Sequence, residues 1–381
     1  MKSSTHDRVH RPTRLFLIFR GPNYDLDTFG RRLLAISERF EGVCVMGYTA
    51  TSRRRLGTFD LVTTHWTAGL SFTIRHLMRI AIQAIRERFS ERPADLVVSA
   101  DPLKGGLYGY VASKIIGCPF LAEVNGDFAD PANYMDNAGA LAQLKRRLMI
   151  AIGTFVLKRA DGIRVLYPRQ LDFLGPQLLG KVIHTAFEYV DLSAFRDLGE
   201  QKLILFAGFP FYVKGVDVLI SAFKKVAEKY PDWRLRILGW FPDPRLLQSH
   251  IGDHPQIEHH PPVPYNEMPI HMGACAILVL PSRTEAMGRV LLEAMAAGKA
   301  RIASNVGGIP TVIEDGVDGL LFESGNVDML ASHLDLLMSN SQVRQKLGKA
   351  GQRRVAIDFT LERYLDNLEA LYSSVIARTR K

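Results

Sequence analysis

Pro281-Ser-Arg-Thr-Glu-Ala-Met-Gly-Arg-Val-Leu-Leu-Glu-Ala-Met-Ala-Ala-Gly298 directly follows the apolar run Ala276–Leu280. A run of that length, a short polar loop and then a segment rich in Leu, Ala and Met read as strand, loop and helix at the carboxyl edge of a parallel sheet. Open α/β folds bind their ligands at such edges. The amides of Ala286, Met287, Gly288 and Arg289 are then expected at a helix N-terminus, where unpaired N–H groups and the helix dipole suit a diphosphate. Glu285 lies at the edge of the loop, and Glu293 follows two turns later. Carboxylates do not bind phosphate oxygens but accept hydrogen bonds from hydroxyls, so this pair suits the hydroxyls of a sugar.

Two neighbouring loops repeat the arrangement. The run Leu203–Ala207 leads into Gly208-Phe-Pro-Phe-Tyr-Val-Lys-Gly215, which brings Lys214 to the same edge. An ammonium group there offsets the negative charge that builds on a departing diphosphate. The run Ala300–Ala303 leads into Asn305-Val-Gly-Gly-Ile-Pro310, whose paired glycines are expected to let backbone approach a ligand closely. An exposed helical Glu, a surface Lys and a glycine turn each have an ordinary explanation. Their recurrence at successive strand ends of one domain favours a shared site.

Outward from this region, short apolar runs alternate with longer segments of helical period, the pattern of α/β domains with parallel sheets. In the first half the strand candidates are Leu15–Phe19, Val43–Met46, Asp95–Ser99, Phe120–Val124 and Gly162–Leu166; the second half adds Leu235–Leu238. A chain of 381 residues is about right for two domains. The pattern begins again near residue 200, which predicts a first domain over 1–196 and a second over 197–358. A terminal helix over 359–381, with Leu361, Leu365, Leu368 and Leu371 at helical spacing, is expected to pack back across the hinge.

The net charge of +9 is unevenly placed. Residues 1–190 hold 26 Lys and Arg against 17 Asp and Glu, and the remainder holds 22 of each. A basic first half favours an anionic partner such as a phospholipid surface or a lipid-linked phosphate. Nucleic acid is disfavoured, because no interleaved aromatic platform accompanies the charge. Cys44, Cys118 and Cys275 are far apart in apolar surroundings, which suits free thiols rather than disulfides or a metal. Neither a membrane-spanning run nor a secretory leader is read in the sequence, and the expected location is the cytoplasm.

The stretch from Glu285 to Glu293, together with the Lys214-Gly215 loop, Glu-Ala-Met-Ala-Ala-Gly298 and Val-Gly-Gly-Ile-Pro310, resembles the family-four retaining glycosyltransferases of the glycosyltransferase-B fold. These motifs occur in the family's order over about residues 203–325. The resemblance implies two Rossmann-like domains facing across a cleft and a UDP- or GDP-sugar as co-substrate, with no metal or other cofactor required. It places Glu285 on the donor sugar, Glu293 on the ribose, Lys214 and Gly208 at the diphosphate, and the base near Gly239 and Val263. Two positions depart from the family's pattern. Phe209 stands where the family usually has an arginine on the diphosphate, leaving Arg283 or Arg289 as candidate replacements. Ala186-Phe-Glu-Tyr-Val-Asp191 replaces the usual interdomain loop.

In the first half, Phe120-Leu-Ala-Glu-Val-Asn-Gly-Asp127 resembles the family's His-Gly-Asp segment, with Asn125 in the place of the histidine and Asp127 retained. Asp127 is the catalytic candidate on this side; Asn125, Asp101 and Gly21 are candidates for the acceptor side. Asp25-Leu-Asp27 has metal-motif spacing in the wrong context and reads as solvated. Two segments are both amphipathic and basic. Arg75–Phe89 is expected to place Leu77, Ile80, Ala81 and Ala84 opposite Arg75, Arg79 and Arg86. Leu141, Leu144, Leu148, Ile152 and Phe155 form a second stripe beside Lys145, Arg146 and Arg147. Such helices either cover a sheet or lie on an anionic bilayer. The resemblance implies transfer to a lipid-linked or glycan acceptor in cell-surface polysaccharide or glycolipid synthesis. The competing reading is a non-catalytic sugar-nucleotide-binding subunit of the same fold.

Overall fold

The computed structural model describes residues 11–19, 26–67, 69–137, 139–241 and 243–379. The chain first runs through β1 (Thr13–Phe19), α1 (Leu26–Ile36), β2 (Phe40–Tyr48), β3 (Ser52–Leu56), β4 (Phe59–His65), α2 (Leu70–Arg88), β5 (Leu96–Ser99), α3 (Lys104–Ile116), β6 (Phe120–Val124), α4 (Ala140–Arg159), β7 (Gly162–Val165) and β8 (Val182–Thr185). These eight strands form one sheet in the order β3-β4-β2-β1-β5-β6-β7-β8, parallel except for β3 against β4. The chain continues through β9 (Leu203–Ala207), α5 (Val216–Ala227), β10 (Arg234–Leu238), α6 (Pro244–Ile251), β11 (Ile257–His260), α7 (Met268–Ala274), β12 (Ile277–Leu280), α8 (Arg289–Ala296), β13 (Ala300–Ser304), α9 (Ile309–Val312), β14 (Leu320–Phe322), α10 (Val327–Ser339), α11 (Ser341–Asp358) and α12 (Leu361–Thr379). Its six strands make a second sheet ordered β11-β10-β9-β12-β13-β14.

The nine expected strands are all present with small shifts at their ends, and five further strands were not legible. Four of those five, β3, β8, β11 and β14, stand at the edges of the sheets. Central parallel strands are covered on both faces and read as unbroken apolar runs, as in the fully buried Leu15–Phe19. Edge strands need no such run, and Ser52-Arg-Arg-Arg-Leu56 and Ile257-Glu-His-His260 lack one.

Helices α2, α3 and α4 cover one face of the first sheet, where Ile80, Ala84, Ala112, Val156 and Leu157 meet Phe16, Val97 and Phe120. The opposite face is covered by α1 and by α12, whose Leu365, Leu368 and Leu371 pack with Leu15, Leu17 and Phe40. The last helix therefore returns to the sheet on which the chain began.

Helix α2 departs from the expected orientation. Its buried positions include Phe72, His76, Ile80, Gln83, Ala84 and Glu87, whereas Leu77 faces outward with Ile74, Met78, Ile82 and Ile85. The polar residues decide the rotation. His76 reaches Thr64 Oγ1 at 3.1 Å, and Glu87 pairs with Arg14 at 2.6 Å. Turning those groups outward would leave their partners buried and unsatisfied.

Candidate active site

A cleft of about 230 Å³ lies between the carboxyl ends of the two sheets. It is lined by Asn125 and Asp127 after β6, Phe209 and Lys214 after β9, and Thr284, Glu285 and Ala286 after β12. Lys214 Nζ lies 2.5 Å from Glu285 Oε2, and Ser282 Oγ donates to the same oxygen at 3.2 Å. The two groups read as separate contacts for diphosphate and sugar are thus paired with one another. The Thr284 hydroxyl is buried and finds no hydrogen-bond partner among the described residues.

Asp127 enters from the first domain and accepts a hydrogen bond from Tyr167 Oη at 3.0 Å. Burial pushes its pKa up to about 6 against the hydrogen bonds from Tyr167 and Gln170, and the nearby charges of Asp130 and Glu285 raise it further. A second cavity of about 500 Å³ opens beside it, lined by Asp127, Phe128, Arg146, Ile150, Tyr167 and Phe173 among others.

Gly307 and Gly308 do not lie open to a ligand as expected. A Cβ on Gly307 would sit 2.0 Å from the Glu285 carbonyl oxygen, and one on Gly308 would sit 1.9 Å from that of Ala286. The Gly308 amide donates to the Glu285 carbonyl at 3.1 Å. The paired glycines therefore let their loop lie against the Glu285 loop and fix its position, because any side chain would force the two backbones apart.

Glu293, on α8, is buried and is not among the residues that line the Lys214 cleft. Burial pushes its pKa up to about 7, opposed by the Arg289 charge and a hydrogen bond with Tyr265. Tyr265, from the loop after β11, was not singled out by sequence, and nothing in its surroundings there marks it. Gly208 and Gly239 end adjacent strands, the Gly208 amide donating to Leu238 O at 3.0 Å and that of Gly239 to His260 O at 3.2 Å. Val263 is half-buried against the core shared by α8 and β12. Gly288 caps α8, and the Met287 side chain turns inward, where its sulfur accepts the Glu188 amide at 3.4 Å.

Four further candidates have partners of their own. Asp101 accepts the amides of Leu103 and Gly105 at 2.8 and 3.1 Å and so holds the start of α3. Asn125 lines the cleft, held there by its amide, which donates to Ala100 O and Glu123, and by its oxygen, which accepts from Arg164. Arg283 clamps Asp217 through two bonds of 2.8 and 2.7 Å and does not line the cleft. Arg289 borders a different cavity of about 540 Å³ at the hinge, with Arg31, Arg32, Tyr265 and Leu361. Gly21 lies outside the described residues.

Below the cleft runs a buried ionic network that sequence reading missed. Arg164 on β7 meets Glu123 on β6 at 3.3 Å and Glu188 of the interdomain segment at 3.0 Å. Arg32 on α1 meets Glu188 at 3.3 Å and Tyr364 Oη of α12 at 3.1 Å. Burial alone would raise the Glu188 pKa, but Arg32 and Arg164 together pull it down to about 2. The network ties the 186–191 segment and α12 to the first sheet.

Two domains with largely parallel sheets that face across a cleft define the fold class. Residues 193–354 match the family model described as glycosyl transferases group 1. The D-inositol 3-phosphate glycosyltransferase of Thermobifida fusca is 29% identical over 222 residues, covering 52% of this chain and 51% of the relative. The chain spans about half the length of the first curated relatives it matches. A D-inositol 3-phosphate glycosyltransferase from an Arthrobacter species is 28% identical over 365 residues, 87% of this chain and 82% of the relative. Among solved structures, sucrose-phosphate synthase from Thermosynechococcus elongatus superposes with a TM-score of 0.78 at 18% identity, over 96% of this chain and 100% of the other. Anabaena HepE in complex with UDP-glucose superposes with 0.73 at 16% identity, over 94% and 99%. The fold is that of the glycosyltransferase-B enzymes.

Proposed function

We propose that this chain is a retaining glycosyltransferase that moves a hexose-type sugar from a UDP- or GDP-sugar to the hydroxyl of a lipid-linked or glycan acceptor. The observation that carries the reading is the Lys214–Glu285 pair in the second domain, faced across one cleft by Asp127 of the first. An arriving diphosphate takes over the Lys214 ammonium, which releases the Glu285 carboxylate to accept from the donor sugar's hydroxyls. Glu293 exchanges its bond with Tyr265 for the ribose hydroxyls. The bond from the anomeric carbon to the diphosphate oxygen breaks while the acceptor oxygen bonds to that carbon on the same face. The acceptor's proton passes to the departing diphosphate, whose charge Lys214 stabilises. The cavity beside Asp127 is the acceptor side in this reading. No metal takes part, and the reaction is assigned to the cytoplasmic side of the membrane.

The test is a thermal-shift screen of UDP- and GDP-sugars followed by anomeric analysis of the product by NMR. A ligand at 100 times its Kd adds about 2.7 kcal/mol of stability. Stabilisation by one nucleotide sugar and a product of unchanged anomeric configuration are expected; an inverted product rejects the mechanism. A second reading, a sugar-nucleotide-binding subunit without turnover, is favoured by Phe209 in the position of the missing arginine. Binding without transfer to any lipid or glycan extract would select it.

A further inference from the structure

Three adjacent helices on the outer side of the first sheet carry an unusual surface. In α2 the outward positions Ile74, Met78, Ile82, Ile85 and Phe89, the last just after the helix, are between 47% and 80% exposed. On α4, Leu141, Leu144 and Leu148 are 80%, 63% and 54% exposed, and the stripe ends at Phe155. Helix α3 lies between them and adds Val111 at 41%. The faces that pack on the sheet combine Phe72 and Ile80 of α2 and Val156 and Leu157 of α4 with small or polar residues, such as Ala142 and Gly153 on α4 and His76 and Gln83 on α2. Both helices therefore carry large apolar side chains on the solvent side as well as on the sheet side, more than a soluble domain ordinarily exposes in one patch.

The charge is equally one-sided. The three helices contain eleven Lys and Arg and a single acidic residue, Glu87, which is buried and paired with Arg14. A protein partner with an acidic surface would account for the cations but not for rows of exposed Leu and Ile beside them. A bilayer with anionic headgroups accounts for both: the apolar side chains enter the acyl boundary while Arg and Lys stay at the phosphates. Among the described residues no helix is long and apolar enough to cross a membrane, so the contact is with the surface.

We infer that the α2–α3–α4 face docks on an anionic phospholipid bilayer. The face also sets an orientation. The cavity beside Asp127 and a neighbouring one of about 360 Å³ both include Arg146 of α4, so they open along the helix that meets the lipid. None of the exposed apolar residues of this face lines the Lys214–Glu285 cleft, and the inference stands or falls independently of the donor chemistry.

The test is co-sedimentation of the full chain with vesicles of phosphatidylcholine alone and of phosphatidylcholine with phosphatidylglycerol. Binding is expected only to the anionic vesicles, and it should weaken as salt screens the surface charges. Replacing Arg86 and Arg147 by Gln should weaken binding about fivefold for each. The triple variants Ile74→Ser/Met78→Ser/Ile82→Ser and Leu141→Gln/Leu144→Gln/Leu148→Gln alter exposed positions and should each weaken it by more than about tenfold. Nucleotide-sugar binding by all variants should match the parent, which separates loss of docking from loss of fold. Equal binding to both vesicle types, no binding, or full binding by the triple variants would overturn the inference. So would light scattering showing that the parent is a dimer that the triple variants dissociate, since the face would then be covered by a second copy.

Discussion

Two of the ionic clusters in the molecule pair a basic side chain with glutamate at different depths. Lys214 and Glu285 form a pair with one additional hydroxyl, at side-chain exposures of 21% and 13%. Arg164 and Glu123 are 1% and 4% exposed and belong to a network closed by Glu188, Arg32, Asn125 and Tyr364. A paired charge at the rim of a cleft can be handed to a ligand, because water and the ligand replace the lost partner. A charge in the closed network has no replacement, and removing one member leaves the others buried and uncompensated. The comparison separates a cluster suited to exchange from one that holds the hinge in shape.

The largest effect is expected from the network. Glu188→Gln should cost about 3 kcal/mol of unfolding free energy in urea denaturation, whereas Lys214→Ala should cost under about 1 kcal/mol. Equal losses would break the contrast. In the cleft the measure changes to turnover. Lys214→Ala and Glu285→Gln should each lower kcat about 100-fold or more, because their contacts matter most as charge develops, and Glu285→Gln should leave nucleotide affinity nearly intact. Glu293→Ala should instead weaken nucleotide binding about tenfold with a smaller change in kcat, as read by titration calorimetry beside initial rates.

The smallest effect sharpens the comparison through pH. The folded-state pKa of Glu188 is depressed from 4.5 to about 2, so its stabilisation is present above 4.5 and is lost as pH falls toward 2. Asp127 is raised from 3.8 to about 6, so its contribution is full below 3.8 and is lost as pH rises through 6. Thermal melts across this range should show that Glu188→Gln flattens the acid limb and that Asp127→Asn raises stability above pH 6. A melting curve of Asp127→Asn that follows the parent at every pH would show that the carboxyl is not held protonated by burial.

How far the sequence carried depended on whether a feature announces itself locally. The loops after β9, β12 and β13 were legible because each follows an unbroken apolar strand and carries its polar residue within a few positions of the strand end. The network was not, because Arg32, Glu123, Arg164 and Glu188 are scattered over 157 positions and each resembles an ordinary surface charge until the sheet aligns them. The role of Gly307 and Gly308 was misread for a related reason: the backbone they admit belongs to another loop, which sequence cannot place opposite them. Leu77 was placed on the wrong face because α2 is apolar around much of its circumference. Its rotation was settled by His76 and Glu87, whose partners Thr64 and Arg14 lie on other elements.

Helix α12 has a consequence for how the chain can be shortened. The chain crosses between domains twice, and the crossings are joined where the Val190 amide donates to Phe359 O at 3.2 Å and the rings of Phe187 and Phe359 lie 5.6 Å apart. Ending the chain at Asp358 would therefore leave the second sheet with its own helices and strip the first sheet of a cover made by Tyr364, Leu365, Leu368, Leu371, Tyr372 and Val375. Helix α12, which follows the second domain in the chain, completes a cover on the first. Until α12 is in place that face keeps only the partial cover of α1, so the packing of the first domain is completed by residues that come after the second.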